Sequence, residues 1–125
     1  VAETPQRPTD FQLIESYGDG GFRINGRRFM GSVIVFVERA ELWPVSDMTG
    51  VTADSLAPVL TAEPAPEFLL LGCGPSMAPV DTTVRQAFAA RGIVLEVMDT
   101  GAAARTYNML LNENRRFAAA LIAVA

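Results

Sequence analysis

Neither histidine nor lysine occurs among the 125 residues, and Cys73 is the single cysteine. Without imidazoles and with one thiol, no ligand set exists for a multi-ligand zinc, haem or iron–sulfur centre. A Ser-His-Asp or Cys-His engine cannot be assembled, and the lysine of a Schiff base or a phosphate-binding loop is missing. The carboxylates form no cluster at a spacing that would suit magnesium, so no cofactor is expected. A lone cysteine excludes an intramolecular disulfide and is consistent with a reducing compartment. The basic side chains are all arginine, and the formal net charge is −4. That balance argues against a nucleic-acid surface, which needs a basic face. Long hydrophobic runs are also missing. The longest, Phe117 to Ala125, is nine residues, against about 20 for a membrane-spanning helix.

What is present is a chain that is 50% hydrophobic and 19% charged, with mean hydropathy +0.24. Disorder requires low hydrophobicity and high net charge, and neither holds. The length suits one domain. Residues 1–10 mix Pro5 and Pro8 with Glu3, Arg7 and Asp10; they lack the apolar stretch of a signal peptide and read as a flexible arm. Residues 11–125 then form the single domain.

The character of the chain changes near its middle. Phe11 to Ile14 alternates weakly and is broken at Gly18-Asp19-Gly20-Gly21. Phe22-Arg23-Ile24, Asn25-Gly26 and Arg27 to Met30 predict a hairpin, because Asn-Gly supplies the positive φ values of a two-residue turn. Val33 to Val37 predicts a buried strand, and Leu42-Trp43 before Pro44 a short edge segment. Further on, Thr52 or Asp54 is expected to cap a short helix through Leu60, limited by Pro58. Phe68 to Leu71 reads as a buried strand. Asp81 is expected to cap a helix through Arg91 that Gly92 stops, with Val84, Ala87 and Phe88 on one face. Ile93 to Met98 is the next strand, Thr100 caps a helix to about Asn114, and Phe117 to Val124 closes the pattern. The fold class is therefore α/β: a three-layer domain with a mixed sheet, a parallel β-α-β-α-β C-terminal half and an antiparallel N-terminal hairpin extension.

Ligands of parallel sheets tend to lie at the carboxyl ends of strands. Gly72-Cys73-Gly74 occupies such an end, but Met77 stands where a dinucleotide fingerprint wants its third glycine, and Pro75 and Pro79 delay the helix. Cys73 has no base to activate it and reads as a small packed residue before a nucleophile. Asp99-Thr100-Gly101 opens the second helix, whose free N–H groups favour an anion, and Arg105 lies one turn in. Gly72, Cys73, Gly74, Thr100, Gly101 and Arg105, with Asn108 beside Arg105, form a candidate crevice for an anionic metabolite. The favoured alternative is structural: Thr100 caps, Arg105 pairs with Asp99 or Glu96, and the asparagines bond loop backbone. Trp43 is either core or an interface anchor. Self-association through an edge strand or the arm is a further possibility.

Several segments together carry a family resemblance: Tyr17-Gly18 with Gly21 to Gly26, Gly31 to Val35, Leu69 to Gly74, Gly92-Ile93 through Met98-Asp99-Thr100, Ala103 to Asn108, and Arg116 to Leu121. The Met-Asp-Thr and Thr-Tyr-Asn block is the most specific. The sequence resembles the family of the third mitochondrial assembly factor of respiratory complex I and its bacterial and archaeal relatives. The resemblance implies a three-layer domain with a mixed sheet, no enzymatic activity and no cofactor. It also implies protein partners drawn from respiratory-complex assembly. The composition, arginine-only and rich in alanine, suggests a bacterial source. The expected location is the cytoplasm, peripheral to the inner membrane through a partner.

Overall fold

The computed structural model describes residues 11–125; the arm expected over residues 1–10 lies outside them. Short strands and tight turns come first. β1 (Ile14–Gly18), β2 (Gly21–Ile24) and β3 (Arg27–Met30) make an antiparallel three-stranded sheet in that order. Asn25 (φ 49°) and Gly26 (φ 80°) form the expected turn, whose twist matches that of the strands it joins.

β4 (Val33–Phe36), β5 (Ala40–Leu42), β6 (Phe68–Gly72), β7 (Val94–Met98) and β8 (Phe117–Leu121) form a second sheet, ordered β5-β4-β8-β6-β7. β4 is antiparallel to both β5 and β8, while β6 is parallel to both β7 and β8. The mixed sheet thus joins the antiparallel first half to the parallel second half through β8. The short Leu42 segment is an edge, as its proline-bounded sequence indicates.

Side chains of this sheet alternate between two cores. Ile34, Phe36, Leu69, Leu71, Ala118 and Ala120 face α1 (Ala57–Leu60) and α2 (Thr82–Ala90). Val33, Val35, Phe68, Leu70, Phe117, Ala119 and Leu121 face α3 (Thr100–Leu110) and the hairpin residues Phe22, Ile24 and Phe29. Period-two alternation on a strand buried on both faces produces this division. The run Ala118-Ala119-Ala120 lies in the middle strand, fully buried, where small side chains let the layers on both faces approach closely. Trp43 is core: it is buried and its indole N–H donates to the Ser55 carbonyl at 2.8 Å.

Two helix starts differ from expectation. Thr52 does not cap α1. Its Oγ1 accepts from Ser55 N–H at 3.0 Å, while the Ser55 hydroxyl donates to the Thr52 carbonyl at 2.9 Å. That local turn satisfies the backbone early, and the helix waits until Ala57, with Pro58 in its first turn. Asp54 has no capping bond either, since the N-cap is Leu56. Asp99, rather than Thr100, caps α3, its carboxylate accepting from Ala102 N–H at 2.8 Å. The helix proper ends at Leu110. A 3₁₀ turn over Leu111–Glu113 follows, and Asn114 (φ 58°) turns the chain into β8. Asp81 caps α2 and Gly92 (φ 72°) follows its end, both as expected.

Candidate functional site

The carboxyl ends of β6 and β7 and the start of α3 come together where the sequence places its crevice. Thr100 is the residue that joins them. It is fully buried, and its hydroxyl accepts from Gly74 N–H at 2.9 Å and donates to the Ile122 carbonyl at 2.7 Å. Its own N–H donates to the Gly74 carbonyl at 2.9 Å. Gly72 packs directly beneath: a Cβ added there would lie 2.9 Å from Thr100 Cα and 3.0 Å from Leu121 Cδ2. Glycine at this position is therefore a requirement of close packing between strand and helix. Cys73 is buried, with Sγ 3.7 Å from the Ala78 carbonyl, and its N–H donates to the Met98 carbonyl at 2.8 Å. Gly72, Cys73, Gly74 and Thr100 thus meet one another, and their contacts close the space between them.

Gly101, Arg105 and Asn108 lie further out, on the side of α3 that faces β1. Arg105 Nη1 donates to Tyr17 Oη at 2.8 Å in an exposed position; it pairs with neither Asp99 nor Glu96. A Cβ at Gly101 would approach Tyr17 Oη to 2.7 Å, so the phenol rests on the glycine. The Asn108 amide bonds both sides of one β1 residue, accepting from Ile14 N–H at 3.0 Å and donating to the Ile14 carbonyl at 2.7 Å. The result is a shallow cleft of about 290 Å³ between β1 and α3, bordered by Tyr17, Arg105 and Asn108. Tyr17 and Ile14 are the residues that sequence reasoning left out. They lie 88 and 94 positions from their partners, and no local pattern links them.

A larger cleft of about 520 Å³ opens at the opposite ends of the strands, between Phe36, Glu38, Arg39, Glu63, Arg115 and Arg116. Its arginines are engaged: Arg39 lies 4.0 Å over the Phe36 ring, Arg115 Nη2 lies 3.2 Å from Glu67 Oε1, and Arg116 Nε donates to the Ala65 carbonyl at 2.8 Å. Nearby, burial pushes the Tyr107 phenol well above its ordinary pKa, with the Glu38 carboxylate adding to the shift. Among the described residues, no group of three or more His, Cys, Asp or Glu side chains converges as a metal site would require.

A three-layer α/β domain whose strand ends are closed by a buried threonine, and whose outer helix is tied to a hairpin by an asparagine, defines the structural class. Solved structures share its overall fold. A chain described as an outer membrane protein from Bartonella henselae superposes with a TM-score of 0.86 at 31% identity, covering 95% of this chain and 100% of that one. A Mth938-like domain from Bordetella pertussis does so with a TM-score of 0.80 at 28% identity, covering 98% and 91%.

Residues 14–122 match the family described as "Protein of unknown function (DUF498/DUF598)", and the chain belongs to that family. Its relatives include NADH dehydrogenase [ubiquinone] 1 alpha subcomplex assembly factor 3 of Homo sapiens, 37% identical over 109 residues. That alignment covers 87% of this chain and 59% of the human protein, so the chain spans about three fifths of that relative's length. An uncharacterized protein of Rhodobacter capsulatus is also 37% identical over 109 residues, with 87% of this chain and 82% of that protein aligned.

Proposed function

We propose that this chain is an accessory domain, without catalytic activity, that acts by binding protein partners during assembly of a respiratory NADH dehydrogenase complex. The observation that carries the reading is the 37% identity over 109 residues to a human protein named for that assembly role. The residue chemistry supports it. A chain with no histidine or lysine has few groups that exchange protons near neutral pH. We also propose that Gly72, Cys73, Gly74, Thr100, Gly101, Arg105 and Asn108 hold the fold together instead of a ligand, since Cys73, Gly74, Thr100, Arg105 and Asn108 each bond within the chain and Gly72 and Gly101 admit close packing. A bacterial cytoplasmic location, next to the inner membrane through a partner, belongs to the same reading. No helix among the described residues is long and apolar enough to cross a membrane.

The test is a deletion strain of a bacterium that carries the gene and makes the complex. Loss of assembled NADH dehydrogenase on native gels, restored by the wild-type chain, is expected, together with subunits or assembly proteins of that complex in a cross-linked pull-down. Normal assembly together with an empty pull-down rejects the reading.

A further inference from the structure

The five-stranded sheet ends in two strands of different character. At one edge, β5 is three residues long, and its Glu41 lies 3.7 Å from Arg39. At the other, β7 is five residues long and, among the described residues, pairs only with β6. Peptide groups of a parallel strand point alternately to its two sides. Val94 N–H donates to the Glu67 carbonyl and the Met98 carbonyl accepts from Cys73 N–H, so Val94, Glu96 and Met98 direct their backbone toward β6. The N–H and C=O groups of Leu95 and Val97 therefore face outward, and they have no partner among the described residues.

The side chains next to that free edge make a socket. Val94, Glu96 and Met98 share the face toward α3, and a cleft of about 390 Å³ lies between them and the helix. Phe68, Leu70, Thr106 and Leu110 line the rest of it, together with Glu67 and Arg115, which are paired with each other at 3.2 Å and leave Glu96 as the unpaired charge among the described lining residues. Val94 is 55% exposed, and Glu96 is exposed with no ion-pair partner among the described residues.

We propose that β7 is a docking edge for an extended segment of another protein, one that carries a basic side chain flanked at alternate positions by apolar ones. The proposal rests on the protein-binding reading above and names the surface that reading requires. The segment adds a sixth strand through Leu95 and Val97, a mode in which backbone bonds supply affinity and side-chain pockets supply specificity. Apolar side chains enter the cleft beside Val94 and Met98, and the basic one meets Glu96. A second copy of this chain, in the register centred on the middle of β7, fits the edge less well. Two-fold antiparallel pairing centred on Glu96 would set the two carboxylates opposite each other, and like charges directly opposite destabilise a strand pair.

The probe is the peptide acetyl-Ser-Thr-Val-Thr-Lys-Thr-Leu-Thr-Ser-amide, compared with versions in which Lys is Glu or alternate backbone nitrogens are methylated. Binding is followed by calorimetry, and the site by amide hydrogen exchange of the whole chain. The Lys peptide is expected to slow exchange at Leu95 and Val97, the Glu peptide to bind at least about tenfold more weakly, and the methylated peptide not to bind. The variant Glu96→Arg should reverse the preference between Lys and Glu peptides. No binding by either charged peptide, or binding that leaves Leu95 and Val97 unprotected, overturns the proposal. So does a concentration-dependent dimer in light scattering whose Leu95 and Val97 amides are already slow. Those failures concern this edge alone, because the deletion strain and pull-down test the protein-binding reading separately.

Discussion

At the scale of single residues, the chemistry lies in hydroxyls that bond across the fold. Replacing Thr100 by Val keeps the shape but leaves Gly74 N–H and the Ile122 carbonyl buried without a partner. Leaving such groups unpaired costs about 1–3 kcal/mol each, so urea unfolding of Thr100→Val should show a loss of about 2–3 kcal/mol or more. Thr100→Ser retains the hydroxyl and should lose only about 1 kcal/mol, for the methyl. The sequence marks Thr100 as important but assigns it a cap on its own helix, because the positions of Gly74 and Ile122 are set by the sheet. Tyr107 makes a second residue-scale prediction. Its pKa is raised by burial, so the neutral phenol stabilises the fold fully below the ordinary tyrosine pKa, and that contribution fades as pH rises above about 10. Thermal melts between neutral and strongly alkaline pH should therefore fall less steeply for Tyr107→Phe than for the wild type.

Elements follow local chemistry wherever a turn or cap lies within a few residues. Asn25-Gly26, Asp81 and Gly92 perform the roles their sequence context assigns, since φ preference and short-range bonding settle them. The start of α1 is equally local, yet it departs from expectation because Thr52 and Ser55 bond each other before a helix can begin. The joint between β1 and α3 is of another kind. It depends on the two hydrogen bonds from Asn108 to Ile14. Asn108→Ala should cost about 1–3 kcal/mol for those two bonds, and native-state hydrogen exchange should show faster exchange at Ile14 with little change in β6. Equal acceleration throughout both sheets would mean that the two layers unfold as one unit.

For the whole molecule, the lack of histidine sets the response to pH. No side chain of that type gains or loses a proton near neutrality, so unfolding free energy should be nearly constant between about pH 5.5 and 7.5, as measured by denaturant titration. At the acid end, hydrogen bonds from the Thr49 hydroxyl and N–H hold the Asp47 carboxyl below its ordinary pKa. Its contribution is present above the unfolded pKa and is lost as pH falls through the folded one. A stability step near pH 6.5 would contradict this account. The sequence by itself determined the fold class, most of the strands, the hairpin turn, the cap of α2 and the poverty of proton-transfer groups, because periodicity, φ preference and side-chain inventory act over a few residues or none. The tertiary structure decided that Thr100 closes the strand ends, that Arg105 meets Tyr17, and that among the described residues β7 is left with a free edge beside a partly apolar cleft. Those outcomes depend on strand order and on contacts between residues tens of positions apart, where packing of the whole chain, not local preference, selects the partner.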